Sequence, residues 1–392
     1  MREVVIVGMA RTPIGAFQGA LASVPAPKLG ATAITGALAR AGVKPELVNE
    51  VIMGNVLAAG EGQAPARQAA IFAGIPKSAP AMTINKVCGS GMKAVMLAAQ
   101  SIMVGDSDVV VAGGMENMSQ TPYLMLNARG GFRMGHQQVV DSMIHDGLWD
   151  PYNNQHMGNC AELCAKEKTF TRQAQDEYAI ESFKRSQEAQ KSGKFADEIV
   201  AVEVAGRKGD VQKIDTDEGP MKGQFDKIPT LKPAFDKAGT VTAANASTIN
   251  DGAAAIVLMS ADKARELGIK PIAKLVSYAS NAQEPVWFTT APAEAMRRAL
   301  KKANWEMKDV DLVEVNEAFA VVAMAAQKEL EIPSSKLNVR GGAISLGHPI
   351  GASGARIIVT LLSAMKEKNA KRGLASICIG GGEGTAVCIE RV

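Results

Sequence analysis

The chain is expected to fold as an α/β protein built from two copies of one unit, and three observations predict it. Strand-like apolar runs alternate with helix-periodic ones in both outer thirds of the 392 residues, the pattern of helices lying on sheets. Segments of the first third recur in the last third, in the same order and at nearly the same spacing. Glycine is abundant, at 38 residues, and aromatic side chains make up only 4%, which suits small and branched side chains packed where backbone approaches backbone. Length alone suggests roughly two or three domains, large enough to need no disulfide or metal staple.

In the first third, residues 3–7 read as a strand, 29–41 as a helix and 51–54 as a second strand. Met92, Val95, Met96, Ala99, Ile102 and Met103 then recur at helical spacing, and 108–112 form a third strand. In the last third, 272–277, 293–303, Leu312–Val315, 353–365 and 375–379 repeat that order. Residues 48–55 resemble 310–316, 88–91 open one helix as 351–354 open another, and 108–114 (DVVVAGG) parallel 375–381 (ASICIGG). Three such matches favour duplication, and a pseudo-twofold between the copies would bring their equivalent loops to one site.

Residues from about 120 to 248 break the pattern. They hold His136, His145 and His156, a polar helix near 171–192 and turn-rich charge over 207–232. This stretch is too long for a connection and reads as an inserted subdomain, a lid or ligand platform. The expected division is 1–119 with 249–270, the insert 120–248, and 271–392.

Charge and cysteine usage narrow the class. With 43 basic and 40 acidic residues the net charge is +3, and no Lys/Arg block tracks a phosphate backbone, which excludes a dedicated nucleic-acid binder. Five cysteines at irregular spacing suggest free thiols in a reducing compartment. The first residues already read as a strand, no uninterrupted apolar run nears the ~20 residues of a membrane span, and no targeting tripeptide ends the chain. A cytoplasmic globular protein, with neither membrane nor nucleic-acid partner, is expected.

Four segments carry chemistry-bearing residues. In 85–92 (NKVCGSGM), Cys88 sits between glycines where a loop turns into a helix. Free N–H groups and the helix dipole there would favour the thiolate a covalent catalyst needs; a small buried cysteine gives the same local sequence. In 341–354 (GGAISLGHPIGASG), His348 lies in a glycine-rich loop ending at a helix start, the kind of loop that positions function, or else is a satisfied structural histidine. Neither a Walker A pattern nor a strand-linked G-x-G-x-x-G is present. Cys378 ends a strand and runs into Gly380-Gly381-Gly382, whose N–H groups form either an oxyanion nest or a plain turn. Asn316 leaves a strand for an apolar helix, as a functional amide or an N-cap. His156, Cys160 and Cys164 share a helical face, but zinc sites use closer cysteine pairs and a fourth ligand, so packing and no metal are expected.

Together these segments closely resemble the thiolases, and within them the biosynthetic members. The resemblance spans essentially the whole chain and rests on NKVCGSG, GGMENMS at 113–119, HMG at 156–158, NEAF at 316–319, GHPIGASGAR at 347–356 and CIGGGEGTA at 378–386. It implies the thiolase fold: two βαβαβαββ halves in a five-layered αβαβα body, with the insert as a loop domain gripping coenzyme A. It also implies a homotetramer, a dimer of dimers. Carried onto this chain, Cys88 is the acyl-accepting nucleophile, His348 its base and Cys378 the second acid/base. Asn316 orients a water that with His348 forms one oxyanion hole, and the N–H groups of Cys88 and Gly380 form the other. His156, Met157, Leu148, Phe235, Ala243, Ser247 and Phe319 are the implied substrate and coenzyme A contacts. The glycines of 89–91, 341–354 and 380–384 are expected to let backbone amides close on a thioester oxygen.

The implied activity is that of an acetyl-CoA C-acetyltransferase, the reversible condensation of two acetyl-CoA to acetoacetyl-CoA and coenzyme A through an acyl-cysteine. Coenzyme A is then substrate and product, and no cofactor is required. A 3-ketoacyl-CoA thiolase of broader chain length is the alternative. A condensing ketoacyl synthase typically lacks the second cysteine, and a non-catalytic acyl-CoA binder would have lost a catalytic position. Departures from relatives fall at Ala244 and Thr248, which flank Ser247 where many carry glycine. Pro220 stands near where some relatives have an arginine at the adenine or phosphates, with Lys222 as the candidate substitute. Trp287-Phe288-Thr289 lies by the acyl pocket and either shortens or reshapes it.

Overall fold

The run Val4-Val5-Ile6-Val7 is β-branched and apolar on both sides, as suits a strand covered on two faces, and Val4–Arg11 is buried throughout. In the computed structural model, which describes residues 1–206 and 210–392, this strand lies near the middle of a continuous ten-stranded sheet. The 207–209 part of the expected charged turn lies outside the described residues. The strand is longer than expected because a bulge between Ile6 and Gly8 lets pairing continue past the glycine.

The sheet is nearly symmetric about the junction of Val4–Arg11 with Ala273–Ala282, which two residue pairs make. Outward on one side come Asn250–Ser260, Val109–Asn117, Glu50–Gly54 and Ala81–Ile84. On the other come Glu383–Arg391, Arg372–Ile379 and Leu312–Val315, the last bridged to Leu337. The parallel pairing of Glu50–Gly54 with Val109–Asn117 is repeated by Leu312–Val315 with Arg372–Ile379. The duplication is thus architectural. One expected match is out of register: Val109 faces Met259 as Arg372 faces Glu390, so 108–114 corresponds to 371–377, not to 375–381. The glycine pairs misaligned it. Gly113 and Gly114 lie inside a strand pressed against backbone carbonyls, whereas Gly380 and Gly381 lie in the turn beyond one.

Five layers follow from which strand face each helix covers. Val110, Ala112, Ala375 and Ile377 face inward onto the helices Ser90–Val104 and Ile350–Glu367, which form the central layer. Val109 and Val111 face outward beneath Ala26–Ala41, and Leu374 and Cys378 beneath Ala291–Ala303. The latter helix shows why it is outermost: Ala295, Met296, Ala299 and Leu300 are buried while Arg297, Arg298, Lys301 and Lys302 point to water. Of the central helices, Ile350–Glu367 is instead buried on every side as far as Met365, and Ser90–Val104 over most of its length. Their crossing requires glycine, since a Cβ on Gly91 would lie 2.8 Å from the Ala355 nitrogen and one on Gly354 2.4 Å from the Met92 nitrogen. The segment Val87–Val104 is apolar enough to pass for a membrane span, and it forms core between the two half-sheets.

Among the described residues, the stretch between Asn117 and Asn250 adds no strand to the large sheet. It carries the helices Met157–Glu167 and Arg172–Lys191, the second capped by Thr171, and three two-stranded ribbons. Buried charge ties it to the body. Arg11 donates to both oxygens of Asp217 at 2.7 and 2.9 Å and to Glu198 at 3.0 Å, and Glu198 also accepts from Arg340 at 3.2 Å and Thr360 at 2.9 Å. Removing one partner from such a network costs about 3–5 kcal/mol, because the others stay buried and uncompensated.

Candidate active site

The nucleophile loop is a strained elbow. Val87, a β-branched residue, holds φ at +44°, where such side chains are rarely found. Ser90 Oγ accepts the Lys86 N–H at 2.8 Å and donates to the Val87 carbonyl at 2.6 Å, while Asn85 Oδ1 accepts the Val87 N–H at 2.9 Å. Those bonds present Cys88 one residue ahead of Gly89, the N-cap of helix Ser90–Val104. The N–H groups of Cys88 itself and of Gly380, which follows the strand carrying Cys378, converge on the Cys88 sulfur and favour its ionised form.

His348 lies between Ala343–Leu346 and Ile350–Glu367, with its N–H on Asn250 Oδ1 at 3.0 Å. Its ring nitrogens are not equivalent. Ser353 Oγ spends its single proton on the Pro349 carbonyl at 2.9 Å and stands 2.7 Å from His348 Nδ1. The serine oxygen must therefore accept, so Nδ1 carries the proton and Nε2 keeps a lone pair. That Nε2 is buried without a protein partner, and so is Oδ1 of Asn316, whose Nδ2 lies 3.5 Å from His348 Nδ1. Bare polar atoms of this kind mark a place where substrate or water is meant to bind.

A cavity of about 300 Å³ gathers Cys88, His348 and Gly380 with His156, Met157, Leu148, Phe235, Ser247 and Phe319. Asn316 and Cys378 are buried just behind its wall. Ala243 is the exception among the expected contacts: it is exposed on the turn that Thr242 and Asn245 close, outside the cavity lining. One wall is a chain of rings. His156 stacks on Phe235 at 4.7 Å, Phe235 meets Phe319 edge-on at 6.0 Å, and Phe319 meets the buried Phe288 at 6.2 Å. His156 Nδ1 accepts the Gly158 N–H at 3.0 Å as the N-cap of its helix, leaving the other nitrogen to donate. Met118 and Ile350 also line the cavity; they sit within the GGMENMS and GHPIGASGAR segments but carry no chemical signal of their own. Ile249, outside every motif, had none at all.

Electrostatics correct one expectation. Burial pushes the Cys88 thiol up to about 12, outweighing the two N–H groups that favour its thiolate, with Glu116 adding to the rise. Burial, and then the neighbouring Cys88, hold the Cys378 thiol well above its ordinary value. Burial, then Arg356, lower His348 to about 3. The resting trio is thiol, thiol and neutral imidazole, not a thiolate pre-formed by the helix dipole.

The glycines also divide differently than expected. Gly380 lines the cavity, and an added Cβ there would make only ordinary contacts, the nearest with Met157 and Val87 at 3.6 Å. Gly91, Gly351 and Gly354 instead let the two halves pack backbone to backbone. Cys160 and Cys164 are buried in an apolar cluster beside His156, and among the described residues no three potential ligands gather as a metal site.

Comparison with known proteins agrees with this geometry. The family models for the thiolase N-terminal and C-terminal domains match residues 4–262 and 269–391. The acetyl-CoA acetyltransferase of Cupriavidus necator is 59% identical over the full length of both chains. Acetyl-CoA acetyltransferase 2 of Arabidopsis thaliana is 56% identical over 99% of this chain and 97% of its own. The crystal structure of Acat5 thiolase from Ascaris suum in complex with coenzyme A superposes with a TM-score of 0.95 at 45% identity, covering all of both chains. With paired thiols, a lone-pair histidine and both family models in place from end to end, the chain belongs to the thiolase family.

Proposed function

We infer that the protein is an acetyl-CoA C-acetyltransferase, condensing two acetyl-CoA to acetoacetyl-CoA and coenzyme A and running the reverse thiolysis. The observation that carries this is a thiol on the cavity with a second thiol buried beside it, and a pair of N–H groups converging on the first. Cys88 attacks the thioester carbon while His348 Nε2 takes its proton. The oxyanion settles on the Cys88 and Gly380 N–H groups, and coenzyme A leaves carrying the proton of Cys378, which stays behind as a thiolate beside the protonated His348. Preorganised donors of this kind each lower the barrier by about 3 kcal/mol. A second acetyl-CoA then loses an α-proton to the Cys378 thiolate so formed, its enolate oxygen held by the protonated Nε2 of His348 and a water on Asn316. The carbanion attacks the acetyl group and the bond to Cys88 breaks, releasing acetoacetyl-CoA, and His348 returns its proton to the Cys88 sulfur. Two neutral thiols at rest suit this scheme, because each gives up its proton only as substrate charge develops.

The insert is proposed as the coenzyme A platform, with Ser247 on the pantetheine and exposed Lys222, 3.5 Å from Glu218, at the phosphates. The Phe288–Phe319 wall supports a short acyl chain over the broader 3-ketoacyl-CoA range. Five unpaired cysteines support a cytoplasmic setting, and no cofactor beyond the coenzyme A of substrate and product is invoked. A homotetramer is proposed as well, from the exposed apolar segment discussed below.

Acetoacetyl-CoA thiolysis by Cys88→Ser and Cys378→Ala is the test. Both are expected to lose at least about a hundredfold in kcat, and near-wild-type rates in either would end the mechanism. Extending the substrate to six- and eight-carbon 3-ketoacyl-CoAs should lower kcat/KM steeply in the wild type and less in Phe288→Ala.

A further inference from the structure

Lys86 and Glu383 form an ion pair that no part of the chemistry above uses. Its place in the chain is unusual. Lys86 lies two residues before Cys88, and Glu383 three residues after Gly380, so the pair joins the two loops that supply the two N–H donors to the Cys88 sulfur. Both loops have backbone that needs holding. On one side stands Val87 at φ +44°; on the other, Gly381 and Gly382 at φ +89° and +84°. Glu383 itself is fixed, since it opens the last strand and pairs with Ile379 in the sheet. Lys86 is anchored locally through Ser90 Oγ and through its carbonyl, which accepts the Gly89 N–H at 3.0 Å. No other charged side-chain contact links these two loops among the described residues.

We propose that the Lys86–Glu383 pair is a cross-brace that sets the spacing of the Cys88 and Gly380 N–H groups, making both side chains positioning residues for the acyl-transfer steps. This rests on the reading of those two groups as oxyanion donors. A strained elbow keeps its conformation only where its surroundings over-determine it, and an oxyanion hole loses its effect when its donors drift by fractions of an ångström. The side chains are 23% and 35% exposed, so the brace is open to ionic screening and their loss leaves the core intact.

The experiment is a double-mutant cycle in acetoacetyl-CoA thiolysis with Lys86→Met, Glu383→Gln and the double variant, beside Lys86→Arg and Cys88→Ser. Each single variant is expected to lose about tenfold in kcat with KM and melting temperature little changed, a fraction of the ~10²–10³ lost when such a donor is removed outright. The double variant should be no worse than either single, and Lys86→Arg should keep most of the rate. Added sodium chloride should slow the wild type more than Lys86→Met. Full kcat in either single, a change confined to KM, or losses that multiply in the double would overturn the brace. Cys88→Ser separates the two readings: residual wild-type activity there defeats the proposed function itself, whereas its inactivity beside a fully active Lys86→Met defeats only the brace.

Discussion

At the scale of single residues, the Cys88 thiol shows how burial and local donors compete. A helix start and two N–H groups pull toward the thiolate, and burial pushes harder the other way, to about 12. The sign is testable on the Cys378→Ala variant, where the remaining cysteines are buried and slow. Below its pKa a thiol's thiolate fraction rises tenfold per pH unit, so iodoacetamide labelling of Cys88 should climb by about that factor from pH 7 to 8 and again to 9. Labelling that levels off below pH 8 would show a thiolate already formed at rest. Cys88, His348, Asn316 and Cys378 stand out in the sequence as loop, strand-end and helix-start residues with chemical side chains, and the resemblance, not the local pattern, separates them from structural roles. The protonation state was not legible there, since burial depends on residues distant in the chain. The same holds for Ser353, whose hydrogen bond to His348 fixes which ring nitrogen can act as base.

At the scale of elements, the central layer depends on two helices approaching through glycine. Gly354 has two opposed demands. As a helical residue, replacing it by alanine should gain up to about 1 kcal/mol in propensity. As a contact, the new Cβ would fall 2.4 Å from the Met92 backbone nitrogen, and overpacking of that kind costs about 1–3 kcal/mol, occasionally more. Contact should win because backbone on the facing helix has nowhere to retreat, so Gly354→Ala is expected to lower the urea midpoint. A raised midpoint would mean the helices cross more loosely than the structure has them. Element order was readable from apolar periodicity, and ends were less so: 353–365 became Ile350–Glu367 because Pro349 serves as N-cap. Asn250–Ser260 shows no alternation at all, being buried on both faces, and a continuous apolar run of that kind cannot be told from a buried helix by pattern.

At the scale of the whole molecule, the duplicated halves account for the body but leave apolar surface exposed on the insert. Tyr123, Met125, Leu126, Phe132, Met134 and Val139 are all exposed along one stretch of the insert, Met134 almost fully. A concentration of apolar side chains like this marks an association surface. Separately, Ala81–Ile84 ends the ten-stranded sheet with a free edge and Met82 exposed on it. Were each surface to pair with its own copy, the two would generate a dimer of dimers, whereas one alone closes at two chains. Light scattering is therefore expected to find four chains in the native particle. Changing Met125, Leu126 and Phe132 together to serine should leave dimers held by the second surface, with thiolysis retained because none of the three lines the catalytic cavity. A wild-type monomer, or a triple variant that stays tetrameric, would place the association elsewhere. Dimers that dissociate to single chains in the triple variant would show that the sheet edge contributes no interface of its own.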